Sequence, residues 1–170
     1  MKMFALALLA LAQSYTPEGR DLGNGWLVAK YPSGCRILKP NYSGTNSIFL
    51  VYRPDGTVML TLPVANVVKD QKYRYALQFV EPPLGPNVLG VVDKRPRQVT
   101  PFGMMDAVGW TDADGSRPSL IFRFPDATVL DQVAKSLRLR LIGQPLQSWG
   151  YELARPVDAI AELRKCQGQR

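Results

Sequence analysis

The sequence predicts a mainly β domain of the α+β kind: an antiparallel β-sandwich or barrel with one short internal helix and a C-terminal helix. Three observations predict it. Apolar residues recur with period two in several short segments. Tight-turn sequences separate those segments. Only two stretches place apolar residues at helical spacing. A chain of 170 residues fits one domain and can bury a core of its own.

The first element is "MKMFALALLALAQS". Lys2 supplies a charged start, Met3 to Ala12 an apolar run, and Ala10, Ala12 and Ser14 the small residues of a cleavage site. Residues 1–14 therefore read as a secretory signal peptide, cut after Ala12 or Ser14, with a buried N-terminal helix as the alternative. The run is too short to span a bilayer. Residues 15–22 read as a polar entry segment, and residues 23–170 as a single β-rich domain. A periplasmic or secreted location follows.

The strands come next. "GWLVAKY" and "CRILK" flank "PSG", and "SIFLVYR" and "TVMLTLPV" flank "PDG". Both read as hairpins. In the second turn Pro54 presets its φ and Gly56 supplies a positive one. "KYRYALQFV" sends Tyr73, Tyr75 and Leu77 to one side and Lys72 and Arg74 to the other. "NVLGVVD" is a short apolar strand candidate, and "SLIFRF" follows the turn "DADGSRP". "SLRLRLI" alternates most cleanly, with Leu137, Leu139 and Leu141 inward and Arg138 and Arg140 outward. "VEPPLGPN" and "DKRPRQVTPFG" read as proline-rich loops. The total is seven to nine strands.

Two helices complete the reading. In "DATVLDQVAKS", Val129, Leu130, Val133 and Ala134 share one face, with Asp126 as a cap. In "RPVDAIAELRKCQG", Pro156 suits the first turn and Gly168 the end. Asp158 and Glu162 lie early, Arg164 and Lys165 late, which complements the helix dipole. Val157, Ile160 and Ala161 make a narrow apolar stripe, with Leu163 beside it.

Composition narrows the chemistry. The chain has no histidine, so the commonest general base and zinc ligand are absent, and neither a Ser-His-Asp nor a Cys-His site can form. Two cysteines are too few for a structural zinc site. "GNGWLV" lacks the third glycine of a dinucleotide fingerprint and precedes a strand. Asp112, Asp114 and Gly115 read as a hairpin turn rather than a calcium loop. No catalytic residue, metal or cofactor is expected.

With 21 Lys and Arg against 14 Asp and Glu, the formal charge is +7. Lys72, Arg74, Arg123, Arg138 and Arg140 take the outward register of strands, and Lys94, Arg95 and Arg97 share one loop. As a group they are the candidate anion-binding residues, for contact with anionic envelope surfaces. The competing reading is that strands need polar residues on their solvent side and cations blunt sheet edges. The aromatics Trp26, Trp110, Trp149, Tyr73 and Tyr75 read as core.

The cysteine count is even, and an exported chain meets an oxidising compartment. Cys35 is therefore expected to pair with Cys166, tying the terminal helix to the opening hairpin. The alternative is two unpaired core thiols.

"TVLDQVAKSLRLRLIG" followed by "YELARPVDAIAELRKC" runs as helix, strand, turn, strand and helix. This C-terminal third resembles the end of the invasion-associated locus B family and related exported bacterial domains of unknown function. The matching residues are Leu153, Ile160, Ala161 and Leu163, with Cys166. The chain departs at Arg155 and Pro156, where a glycine is usual, and lacks the family's paired internal cysteines. The resemblance implies a Gram-negative envelope and a β-sandwich closed by a helix; it implies no catalytic residues. The functional expectation is an exported, envelope-associated binding or structural module whose partner is an anionic envelope surface or an envelope protein, not nucleic acid, with no membrane span once the signal is removed. Two alternatives stand beside it: a carboxylate-dependent hydrolase of envelope glycans, and an inhibitor of a secreted hydrolase acting through "VEPPLGPN".

Overall fold

A computed structural model describes residues 20–22, 25–31, 34–40, 47–82, 99–143 and 149–168. The signal segment, most of "VEPPLGPN", the strand candidate "NVLGVVD" and the loop cations Lys94, Arg95 and Arg97 lie outside the described residues.

Among the described residues ten strands form one antiparallel sheet, curled into a half-barrel. They are β1 (Arg20–Asp21), β2 (Leu27–Tyr31), β3 (Gly34–Pro40), β4 (Ser47–Tyr52) and β5 (Val58–Pro63). Then follow β6 (Lys72–Val80), β7 (Val99–Trp110) and β8 (Ser119–Phe124). Helix α1 (Thr128–Lys135) leads to β9 (Arg138–Ile142) and β10 (Trp149–Glu152), and α2 (Val157–Gly168) ends the described chain. The strand order is β1-β2-β3-β4-β5-β8-β7-β6-β9-β10. The sheet begins inside the segment read as an entry, because Arg20 and Asp21 pair with Val28 and Leu27.

Both expected hairpins form. In the second, Gly56 (φ 82°) donates its N–H to the Arg53 carbonyl at 3.1 Å, and the Asp55 carboxylate accepts from both the N–H and the hydroxyl of Thr57. Asp126 likewise accepts from the N–H and hydroxyl of Thr128, but it lies one residue before the N-cap of α1, which is Ala127 and has no side-chain cap bond.

The period-two pattern buries one face of the sheet. Cys35, Ile37, Leu50, Leu60, Phe122, Tyr75, Leu77, Phe79, Leu139 and Leu141 all point into the curl and are inaccessible or nearly so. Helix α1 adds Val129, Leu130 and Val133. Helix α2 packs against β2, β3 and β4 and buries Ala159, Ile160 and Leu163. The stripe expected on α2 was displaced by one position: Val157 is 50% exposed and Ala161 is exposed. The buried face runs through residues 159, 160 and 163, which share one side of the helix with 166. The face ends at Cys166, which is bonded to Cys35 with the Cα atoms 5.9 Å apart.

The two ends of the sheet approach each other across the interior. The buried Trp26 indole donates to the Leu153 carbonyl at 2.9 Å, and the Tyr151 hydroxyl donates to the Pro63 carbonyl at 2.7 Å. Each bond satisfies a polar atom that burial would otherwise strand.

The longest strand, β7, was not legible. In sequence its first five residues belong to the proline-rich loop "DKRPRQVTPFG", with Pro101 and Gly103, the latter at φ 90°. Those residues sit at an irregularity in the β6–β7 ladder, where Leu77 faces Gly103 and Gln78 faces Pro101, so that Phe102 is skipped. Among the described residues Val99–Asp106 pairs with β6 alone, which is where a sheet tolerates proline. At the other end only glycine fits position 109. A Cβ there would lie 2.0 Å from the Val68 carbonyl oxygen, and the 64–71 segment bonds directly to the Gly109 backbone.

Candidate functional site

The outer, convex face of the sheet carries the side chains that the curl leaves over. Its rows follow from the registers. Arg36 faces Val51, Val51 faces Met59, and Met59 faces Arg123. Next to that row, Leu38 faces Phe49, Phe49 faces Thr61, and Thr61 faces Ile121, which faces Val108 and then Lys72.

Over β3, β4, β5 and β8 this outer face is apolar. Phe49, Val51, Met59 and Ile121 are half-buried and floor an open trough of about 310 Å³. Trp110, 41% exposed, lines one side. It was expected in the core, but it ends β7 on the outward register, opposite Ser119. Arginines stand at the rim. The Arg36 guanidinium lies over the Phe49 ring, 5.2 Å from its centroid. Arg117 is ion-paired to Asp112, which also accepts from the Ser116 hydroxyl at 3.2 Å. Nothing in the sequence reading found this trough. The available signal was that "SIFLVY", "VMLTLP" and "SLIFRF" are nearly continuous apolar runs, which dress both faces of a strand.

Over β6 and β9 the same outer face is charged. Lys72, Arg74, Arg138 and Arg140 are exposed on it, as is Arg123 on β8. The structure does not gather them into one patch. Arg74 faces Asp106 across the ladder, with the charged atoms 3.7 Å apart and both side chains largely in solvent. Arg123 follows the residue paired with Ala107, so it too neighbours Asp106. Arg140 faces Gln78, four residues along β6 from Arg74, and Arg138 faces Glu152. At about 3.4 Å per residue the β9 pair lies roughly 14 Å farther along the strand direction. The cations thus share a face in two groups, around Asp106 and beside β10.

Elsewhere the polar groups serve the fold. Glu81, at the end of β6, accepts from Gln132 at 2.9 Å and Thr100 at 3.2 Å and pairs with Lys135 at 3.1 Å. Burial pushes its carboxyl up, but the hydrogen bonds and the Lys135 charge outweigh that and hold it below its ordinary value. Burial raises the Tyr75 and Tyr151 phenols, each further raised by a neighbouring tyrosine. Burial also lowers Lys39, with the charge of Glu152 partly opposing, and the Lys39 ammonium sits 6.0 Å from the Trp26 ring centroid.

Among the described residues that line the trough, Asp112 is the one carboxylate, and Arg117 engages it. Among the described residues no group of three or more His, Cys, Asp or Glu is placed to hold a metal, and no helix is long and apolar enough to cross a membrane. What this face offers is apolar contact beside positive charge.

No family model, curated protein or solved structure matches the chain.

Proposed function

We propose that the protein is an exported, envelope-associated binding module that meets anionic surfaces through the outer face of its sheet. The observation that carries this reading is the exposure of Lys72, Arg74, Arg123, Arg138 and Arg140 on that one face, against Asp106 and Glu152 as the acids paired in register with it. A convex face with excess cations raises the local concentration of an anionic surface and speeds encounter. The Cys35–Cys166 bond supports an oxidising compartment, and the apolar N-terminal run and the family resemblance support export to a bacterial envelope.

The test is co-sedimentation with vesicles of phosphatidylglycerol against vesicles of phosphatidylcholine. The expected result is retention on the anionic vesicles at low salt that fades as the Debye length falls to about 8 Å at physiological ionic strength and below. Equal retention on both vesicle types at low salt would overturn the reading.

A further inference from the structure

Beside the charged part of the outer face lies the trough over β3, β4, β5 and β8, and none of the five outward cations of β6, β8 and β9 lines it. We infer that this trough is a binding site for one ring of a neutral glycan, an N-acetylated aminosugar, which stacks on Trp110, is hydrogen-bonded by the Asp112–Arg117 pair and rests its acetamido methyl on the apolar floor.

A ring and a neutral polar pair meet at one end of the trough. Trp110 ends β7 on the outward register, lines the trough and is 41% exposed. A pyranose turns C–H groups to its faces and hydroxyls to its rim. A face therefore packs on an indole while the rim stays free to hydrogen-bond, the mixed contact that a half-exposed aromatic ring favours. Phe49 is the other ring of the trough, and Arg36, already engaged, covers it. Two residues beyond Trp110 comes Asp112, in the turn that joins β7 to β8. That turn is braced: the Asp112 N–H donates to the Ser116 carbonyl at 3.0 Å, and the Gly115 N–H to the Asp112 carbonyl at 3.0 Å. Arg117 Nε and the Ser116 hydroxyl both meet Oδ2 of Asp112. Oδ1 is left to accept and the Nη groups of the exposed Arg117 to donate.

An acceptor beside a donor matches two adjacent sugar hydroxyls, because each hydroxyl both donates and accepts. The pair carries no net charge, so a carboxylate ligand would meet repulsion from Asp112 and an ammonium ligand repulsion from Arg117. The floor then selects among sugars. With the ring on Trp110, the half-buried Val51, Met59 and Ile121 remain as apolar surface that hydroxyls alone leave uncovered. An acetamido group supplies a methyl for that floor. Its amide meets the hydroxyl of Thr61, which lies between Phe49 and Ile121 in register. At about 310 Å³ the trough lies at the bottom of the range for small-molecule sites, about 300–1,000 Å³, which suits a short stretch of glycan rather than a larger cofactor. The site is open, so neighbouring sugars of a chain extend into solvent.

The probe is N,N′-diacetylchitobiose. Its controls are cellobiose, which has hydroxyls in place of the acetamido groups, and the same probe with its acetyl groups removed, which is cationic. Amide chemical shifts of the full, disulfide-bonded chain report both affinity and place. The expected result is saturable binding of the acetylated disaccharide with shifts centred on residues 61, 110, 112, 117 and 121. Cellobiose is expected to bind at least fivefold more weakly and the deacetylated sugar at least tenfold. Trp110→Ala is expected to weaken the probe at least tenfold, and Trp110→Phe, which keeps a ring, no more than threefold. Asp112→Asn, which removes the neutral pair, weakens it at least fivefold. No saturable binding by the wild-type protein, shifts centred on the concave face, equal affinity for the probe and either control, or undiminished binding by a folded Trp110→Ala variant would each overturn the inference. Vesicle retention is read on the same samples, so a failure here leaves the surface reading standing, and a failure there leaves the trough standing.

Discussion

The two parts of the outer face share one sheet and differ in what their strands carry outward. Over β9 the buried residues alternate with charged ones: Leu139 and Leu141 point into the curl while Arg138 and Arg140 face solvent, and β6 begins the same way with Lys72 and Arg74 outward. Over β4, β5 and β8 the alternation is one of burial, not of chemistry. Leu50, Leu60 and Phe122 are inaccessible, and their neighbours Phe49, Val51, Met59 and Ile121 are apolar too, though half-exposed. The first pattern describes a strand with one packed side. The second describes a strand that leaves apolar surface on its solvent side.

The comparison is sharpest where the protein is taken apart. The Cys35–Cys166 bond closes a loop of 131 residues, for which chain entropy gives about 5 kcal/mol as an upper figure. The double variant Cys35→Ser, Cys166→Ser is expected to lose most of that in denaturant titration. Hydrogen exchange should quicken first in β2, β3 and β4, which α2 covers, and later in β6 and β9. Uniform quickening across the sheet would break the distinction.

Within β8, adjacent residues separate the two faces. Phe122→Ala opens a cavity in the core and is expected to cost about 3–5 kcal/mol. Ile121→Ala, one residue away on the outer face, should cost less than half as much. Equal costs would mean that the outer face is packed like a core.

The seam between the two ends of the sheet carries the next effect. Trp26→Phe removes the indole donor and leaves the Leu153 carbonyl unsatisfied, an expected loss of about 1–3 kcal/mol in the same titration.

The smallest effect is pH-dependent. The Glu81 carboxyl is held below its ordinary value of 4.5 in the folded protein. A depressed carboxyl contributes stability that is present above the unfolded value and is lost as pH falls through the folded one. Glu81→Gln is therefore expected to be less stable than the wild type at neutral pH, and the difference should shrink as pH drops below 4.5. A difference that holds constant down to full protonation would contradict the latch between β6 and α1.

How much of this was legible follows the same division. Alternation in "SLRLRLI" and in the first half of "KYRYALQFV" gave both the strands and their faces, because polar residues at Lys72, Arg74, Arg138 and Arg140 leave one assignment. The turn at Gly56 and the pairing of Cys35 with Cys166 were legible from local chemistry and from parity. Strand β7 was not, because Pro101 and Gly103 carry breaker signals that only the one-sided pairing of Val99–Asp106 overrides. The trough was not, because an unbroken apolar run does not say which of its residues meets the core. Arg36 was passed over for a similar reason: its place at the rim depends on Phe49 across the ladder, a contact between strands rather than within one.

The charged part of the outer face is tested most simply by retention on phosphatidylglycerol vesicles, measured for the wild type, for Arg138→Glu with Arg140→Glu, and for Thr61→Asp on the apolar part of the same face. The β9 charge reversal is expected to lower vesicle affinity at least fivefold, and Thr61→Asp to change it less than twofold. Two folded variants that lower vesicle affinity in the same proportion would contradict the surface reading.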